Sequence, residues 1–304
     1  MRFSHVTGPR SSEIVEAEIA PPGPGQVLVD VLACGVCTSD RTTWAARATS
    51  ENPIRLGHEM VGRIAAVGDQ HSGWAAGDVV TGLGGDGFAT QALLDSQTIL
   101  PVPAGLPPEL CLGEPLAVLV EALGRSNVRP GDRVAIVGLG FMGQALVQLT
   151  RALLPSEIIG IDPSPYARER GLAAGCTQVL APGEVPAEAI ADVVLEASGA
   201  DAALATSARL VRQHGTLSVI GYHHSGEARL DMDLWYKGVT VVNGFSPQRP
   251  RVIAAMRLGL REIADRQFSF APLITHRFGL DGVDEAFRLM EAAPPEFVKS
   301  IIVP

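Results

Sequence analysis

Asp132-Arg133-Val134-Ala135-Ile136-Val137-Gly138-Leu139-Gly140-Phe141-Met142-Gly143 is the stretch that decides the fold of this chain. An apolar strand runs into G-x-G-x-x-G, and a helical pattern follows from Met142 to Leu154. Gly138 permits the tight strand-to-helix turn, Gly140 lets the backbone approach a pyrophosphate, and Gly143 lets the helix pack closely on the strand. The helix N-terminus, with Phe141 and Met142 in its first turn, then receives the ligand's negative charge. The next strand, Ile158 to Asp162, ends on an acidic group suited to accept a ribose 2′-hydroxyl and to repel a 2′-phosphate. NAD is therefore favoured over NADP. A second glycine-rich run, Gly82 to Gly87, leads into strand-like Phe88 to Ala92 and reads as a loop.

Outward from this fingerprint the chain alternates strand and helix. Strands are predicted at Arg133 to Val137, Ile158 to Asp162, Gln178 to Leu180, Asp192 to Glu196, Thr216 to Ile220 and Val239 to Val242. Helical patterns fall at Met142 to Leu154, Pro165 to Ala174 and Asp201 to Gln213, so the natural outcome is a doubly wound parallel sheet. Ala197, Ser198 and Gly221, at the ends of later strands, should line the cofactor crevice. Before about Leu112 the rhythm differs: glycine and proline are frequent and apolar runs are short, as at Gln26 to Leu32, Val61 to Val67 and Thr98 to Val102. That part reads as β-rich. The end of the chain carries two helical stretches (Val252 to Gln267, Asp281 to Ala293) and a closing strand, Val298 to Val303, which returns to the first domain. The reading is an α/β protein with one domain over 1–117 and 247–304 and a dinucleotide-binding domain over 118–246.

A formal charge of −9, from 33 acidic and 24 basic residues without a Lys/Arg block, argues against a nucleic-acid or anionic-membrane partner. No stretch has the length and apolarity to span a bilayer, and the first 20 residues have no apolar core of a signal peptide. A cytoplasmic protein with reduced thiols is expected, since four cysteines in 304 residues make no disulfide framework. Cys37-Thr38-Ser39-Asp40 and Gly57-His58-Glu59 instead pair a thiolate with an imidazole, the ligands zinc prefers. The other six histidines, His223 and His224 among them, have no ligand spacing.

With these motifs in order, the chain resembles the zinc-dependent medium-chain dehydrogenase/reductase family, close to its sorbitol, threonine and glucose dehydrogenase branch. The likeness runs from Pro24-Gly25-Gln26-Val27 through Gly57-His58-Glu59-Met60-Val61-Gly62, Gly77-Asp78-Val79-Val80 and Glu114-Pro115-Leu116 to Ile274-Thr275-His276-Arg277-Phe278 and Val298-Lys299-Ser300. It implies a GroES-like catalytic domain joined to a Rossmann domain, with one catalytic zinc and NAD as cofactors. Cys37 and His58 match the first two zinc ligands and Glu114 the third, although Glu114 could instead only hydrogen-bond a zinc-bound water. Glu59 matches a glutamate behind the metal that can itself ligate, Asp40 the carboxylate that orients the ligand histidine, and Thr38 a residue near the pyrophosphate. Ser39 would carry the substrate proton.

Three departures from the family matter. Only Thr81 to Asp86 stand where relatives insert a four-cysteine lobe, so the structural zinc is expected to be absent. Thr42 replaces the histidine of the usual proton relay, and Ala167 replaces a basic residue facing the adenosine ribose. The resemblance implies hydride transfer between NAD(H) and a secondary alcohol or ketone, of polyol, sugar or cyclitol type, in a homodimer or homotetramer. Rival readings are a zinc-free NADPH reductase, a lyase or epimerase-like enzyme with tightly bound NAD, and a non-catalytic NAD-binding protein.

Overall fold

The computed structural model describes residues 1–46, 51, 53–69, 73–223 and 226–304. His71 and His224 lie outside the described residues. The chain begins with β1 (Arg2–Gly8), β2 (Ser11–Glu16), β3 (Gln26–Gly35), α1 (Thr38–Ala46), β4 (Ile54–Arg55), β5 (Glu59–Val67), β6 (Val79–Gly82), β7 (Gln91–Asp95), β8 (Ile99–Pro101) and α2 (Gly113–Ser126). Then come β9 (Arg133–Val137), α3 (Phe141–Arg151), β10 (Glu157–Ile161), α4 (Pro165–Ala174), β11 (Gln178–Leu180), β12 (Ala191–Glu196), α5 (Asp201–Leu210), β13 (Val211–Val219), α6 (Asp233–Tyr236) and β14 (Thr240–Asn243). The chain closes with α7 (Arg249–Ala264), β15 (Ile274–Phe278), α8 (Val283–Ala292) and β16 (Lys299–Ile302).

Two compact units result. One comprises Met1–Ala117, Met256–Asp265 and Ser269–Pro304, the other Val118–Ala255 and Arg266–Phe268. The division therefore falls after Ala255 rather than at 247. The first half of α7 joins the second unit, where Arg251 Nε donates to Glu121 Oε1 at 2.7 Å.

In the first unit, β3 carries the core on alternate residues: Val27, Val29 and Val31 are buried while Asp30 is exposed. It pairs antiparallel with β5, β7 and β16 inside a sheet ordered β15-β16-β3-β5-β6-β8, and β1 joins β2 and β4 in a smaller one. The core beneath holds Trp44, Met60, Ile64, Phe88 and Phe287. Trp44 stacks on Phe287 with centroids 5.1 Å apart and donates Nε1–H to Asp284 at 2.8 Å, so its one polar atom is satisfied in the core. Each of these large side chains contributes about 2–3 kcal/mol by leaving water.

The second unit is a six-stranded sheet ordered β11-β10-β9-β12-β13-β14, every pair parallel. Its strands are apolar on both faces because helices cover them, so Val134 to Val137 are all buried. The helical reading through Gln213 gives way to strand: α5 stops at Leu210 and β-branched Val211 pairs with Ala191 of β12.

Candidate active site

The ends of β3 and β5 build the candidate site of the first unit. Their antiparallel register sets Gly35 opposite Glu59, so Cys37, just past β3, and His58, just before β5, fall side by side. Gly57, with φ 96°, makes the turn into His58; a side chain there would strike Phe88. One ligand atom each from Cys37, His58 and Glu59 lies within 4.8 Å of the others.

The surroundings fix these groups. Asp40, buried in α1, holds His58 Nδ1 at 3.1 Å, which leaves Nε2 to ligate and fixes the tautomer. Burial would lower the His58 pKa, but hydrogen bonds and charge from Asp40 and Cys37 push it up to about 12. A cluster this electronegative draws a cation, and a divalent ion satisfies it better than a proton. Thiolate, imidazole and carboxylate together suit zinc. Ser39 Oγ donates to Cys37 Sγ at 3.3 Å and stays exposed, so a hydroxyl stands beside the metal group on the solvent side. Thr42 Oγ1 donates back to Thr38 O at 3.2 Å, and Thr38 Oγ1 lies 4.0 Å from Met290 Sδ.

The converging carboxylate is Glu59, not Glu114. Glu114 opens α2, half-buried, outside the group of converging ligand atoms. Burial first, then the Glu59 charge, pushes its pKa up to about 7. Two carboxylates in one low-dielectric site repel, and Glu59 has a counter-ion that holds it in place. That counter-ion is Lys299, buried at the start of β16, with Nζ 2.7 Å from both Glu59 oxygens. Burial would lower the Lys299 pKa, but the charges of Glu59, Cys37 and Glu114 hold it raised. β3 lies between β16 and β5, and Gly35 makes room: a Cβ there would collide with Glu59 Oε2. The sequence signal for Lys299 was a charge inside an apolar closing strand.

The second unit carries a candidate site of its own. Gly138 has φ 94°, and a side chain on it would meet Ser198 at 2.8 Å. Gly143 packs directly on Gly138 O, whereas Gly140 has nothing within 4 Å of a Cβ position, so the backbone there lies open. Gly140 is also the N-cap of α3 with no side-chain cap, which leaves the helix's first N–H groups for an anion, with Phe141 and Met142 following. Asp162 folds onto this loop, accepting from Leu139 N and Ser164 N, both at 2.8 Å. Its carboxylate keeps further lone pairs for a ribose. Ala167 is helical, and Arg168 beside it donates to the carbonyls of Asp162 and Pro163 at 2.7 and 3.0 Å. Ala197 and Ser198 follow β12 and Gly221 follows β13, with Ser198 N and Oγ held by Glu196 at 2.7 and 2.6 Å. This cradle fits a dinucleotide.

Residues 23–104 match the alcohol dehydrogenase GroES-like domain family, and residues 141–261 match the zinc-binding dehydrogenase family. The chain is 28% identical to an L-threonine 3-dehydrogenase of Pyrococcus horikoshii, over 92% of each chain. It is 26% identical to a sorbitol dehydrogenase of Halalkalibacterium halodurans, over 93% of each. In fold it resembles the alcohol dehydrogenase TADH from Thermus sp. ATN1, with a TM-score of 0.88 at 23% identity over 100% of both chains.

Proposed function

This chain belongs to the zinc-dependent medium-chain dehydrogenase family, and from that premise we propose that it transfers hydride between NAD(H) and a secondary alcohol or ketone of the polyol, sugar or cyclitol class. The observation that carries the reading is the convergence of Cys37, His58 and Glu59, with Asp40 locking the imidazole and Ser39 on the thiolate. Cys37, His58 and one carboxylate, Glu59 in this structure and Glu114 as the sequence implied, would hold the metal. When bound, the metal supplies Lewis acidity and the nicotinamide accepts the hydride. Ser39 takes the alcohol's proton towards solvent. The N–H groups at the start of α3 hold the pyrophosphate, and Asp162 accepts from the adenosine ribose. The relatives named L-threonine 3-dehydrogenase and sorbitol dehydrogenase support a hydroxylated substrate.

Among the described residues no helix is long and apolar enough to cross a membrane, and free thiols at all four cysteines fit the cytoplasm. The chain acts as a homo-oligomer. β14 ends its sheet, Val241 on it and Phe245 just past it are exposed, and so are Trp235 and Tyr236 of α6.

Absorbance of NADH with the zinc-loaded protein over a panel of polyols, cyclitols and simple secondary alcohols tests the activity. Turnover of a hydroxylated secondary alcohol, lost on chelation and restored by zinc at one equivalent per chain, is the expected result. No turnover of any panel member by zinc-loaded protein would sink the reading, and NAD retained through purification without net NADH would favour the lyase or epimerase alternative.

A further inference from the structure

The second unit holds a polar cluster around a buried glutamate that the fingerprint does not explain. Glu196, fully buried at the end of β12, uses Oε1 to accept from Ser198 N, Ser198 Oγ and Gly199 N at 2.7, 2.6 and 2.9 Å. Its Oε2 lies 3.3 Å from His223 Nε2, and His223 Nδ1 lies 3.6 Å from Asp201 Oδ1 at the start of α5. The His223 side chain is only 9% exposed, and its Nδ1 is buried without a hydrogen-bond partner. A buried carboxylate is costly unless a donor meets it, and His223 Nε2 faces Oε2, the oxygen that the Ser198 and Gly199 donors leave.

The cluster ties two strand ends together backbone to backbone. Ile220 N and Gly221 N both donate to Glu196 O, at 2.8 and 2.9 Å. A side chain on Gly221 would strike Gly199, and one on Gly199, with φ 71°, would strike Tyr222 O. Ser198 in turn abuts Gly138 of the fingerprint. The strand order then says which part of the ligand lies here. Asp162, at the end of β10, would take the adenosine ribose on one side of β9, and Gly140, beyond β9 itself, would leave room for the pyrophosphate. The remaining half of a dinucleotide would then face the ends of β12 and β13, where Glu196 and His223 stand.

We propose that His223 is a positioning residue for the nicotinamide half of the dinucleotide: it clips the Gly221–His223 segment onto Glu196 and so sets the backbone against which the nicotinamide ribose docks. The assignment rests on the dinucleotide reading above and adds a residue to it.

The test is binding, not turnover. NADH and AMP are titrated into the parent protein, His223→Ala and His223→Gln, with NADH fluorescence and calorimetry as readouts. AMP engages only the Gly140 and Asp162 end and serves as the internal control for a merely structural effect. The expected result is an NADH Kd raised about tenfold in His223→Ala and about threefold in His223→Gln, whose amide still donates to Glu196, with AMP within about twofold of the parent. If the alanine variant does not fold, the glutamine variant decides alone by the same selectivity. Unchanged NADH affinity, or equal loss of NADH and AMP, overturns the proposal. Parent protein that binds neither overturns the dinucleotide reading along with it.

Discussion

Lys299→Met removes the cation from a buried pair and leaves its volume nearly filled. Glu59 then keeps a carboxylate in a site where it is 2% exposed, 2.7 Å from where Nζ had been. Breaking such a pair from one side costs about 3–5 kcal/mol, more than the pair itself is worth, because the orphaned charge has lost its water and gained nothing. The metal changes that sum: a divalent cation held by Cys37 and His58 faces the same carboxylate and takes over the lysine's electrostatic role. The variant should therefore be strongly destabilised without zinc and much less so with it.

Urea unfolding with and without one equivalent of zinc measures this. A Trp235→Phe background leaves Trp44 and Trp74, both in the first unit, as the reporters. With a slope of about 2 kcal/mol per molar, the zinc-free midpoint should fall by about 1.5–2.5 M, and zinc should recover more than half of that. Because the Lys299 pKa is raised in the folded state, the lysine's contribution is fully present below its unfolded pKa and is lost only as pH rises through the higher folded one. The lysine's own charge is thus constant from about pH 6 to 9. A zinc-free loss under about 1 kcal/mol, or the same loss with and without zinc, would refute the argument that Glu59 and Lys299 balance each other beside the metal.

Four more outcomes follow from the same geometry. Glu114 binds a proton more tightly folded than unfolded, so without metal it lowers stability as pH rises from its unfolded value towards about 7; Glu114→Gln should stabilise the zinc-free protein at pH 8 and not at pH 5, and equal effects at both would show the carboxyl is not perturbed. Asp162 should give about a hundredfold preference for NAD+ over NADP+ in kcat/KM, since a 2′-phosphate would face its charge at short range; comparable values for the two cofactors would remove it from the ribose site. Ser39→Ala should lower kcat about a hundredfold at every pH, while Thr42→Ala, whose hydroxyl is turned back to Thr38 O, changes it less than about twofold; full activity in Ser39→Ala would send the proton directly to water. Val241→Lys, which charges the β14 edge, should dissociate the oligomer in light scattering, and a monomeric parent would end that reading.

What the sequence disclosed and what it withheld separate along one physical line. α4 was legible to the residue, Pro165 to Ala174, because Ser164 caps it, Pro165 sits at its first position and Gly175 ends it, all local signals. The strands of the second unit were legible because parallel strands covered on both faces read as unbroken apolar runs. β1 and β2 escaped notice because a half-exposed hairpin such as Arg2-Phe3-Ser4-His5-Val6 mixes polar residues into its buried face. The carboxylates of the site were visible as residues, but their partners were not. Glu59 opens β5 and Lys299 opens β16, with β3 between them, so only the sheet's register and the missing side chain of Gly35 bring the two together. Glu196 and His223 meet in the same way, at the ends of neighbouring parallel strands. In both units a charge inside an otherwise apolar strand was the sequence trace of these buried pairs. Such a charge costs several kcal/mol unless the fold answers it, so a lysine in a closing strand or a glutamate ending a buried one implies, on energetic grounds alone, a partner elsewhere in the chain.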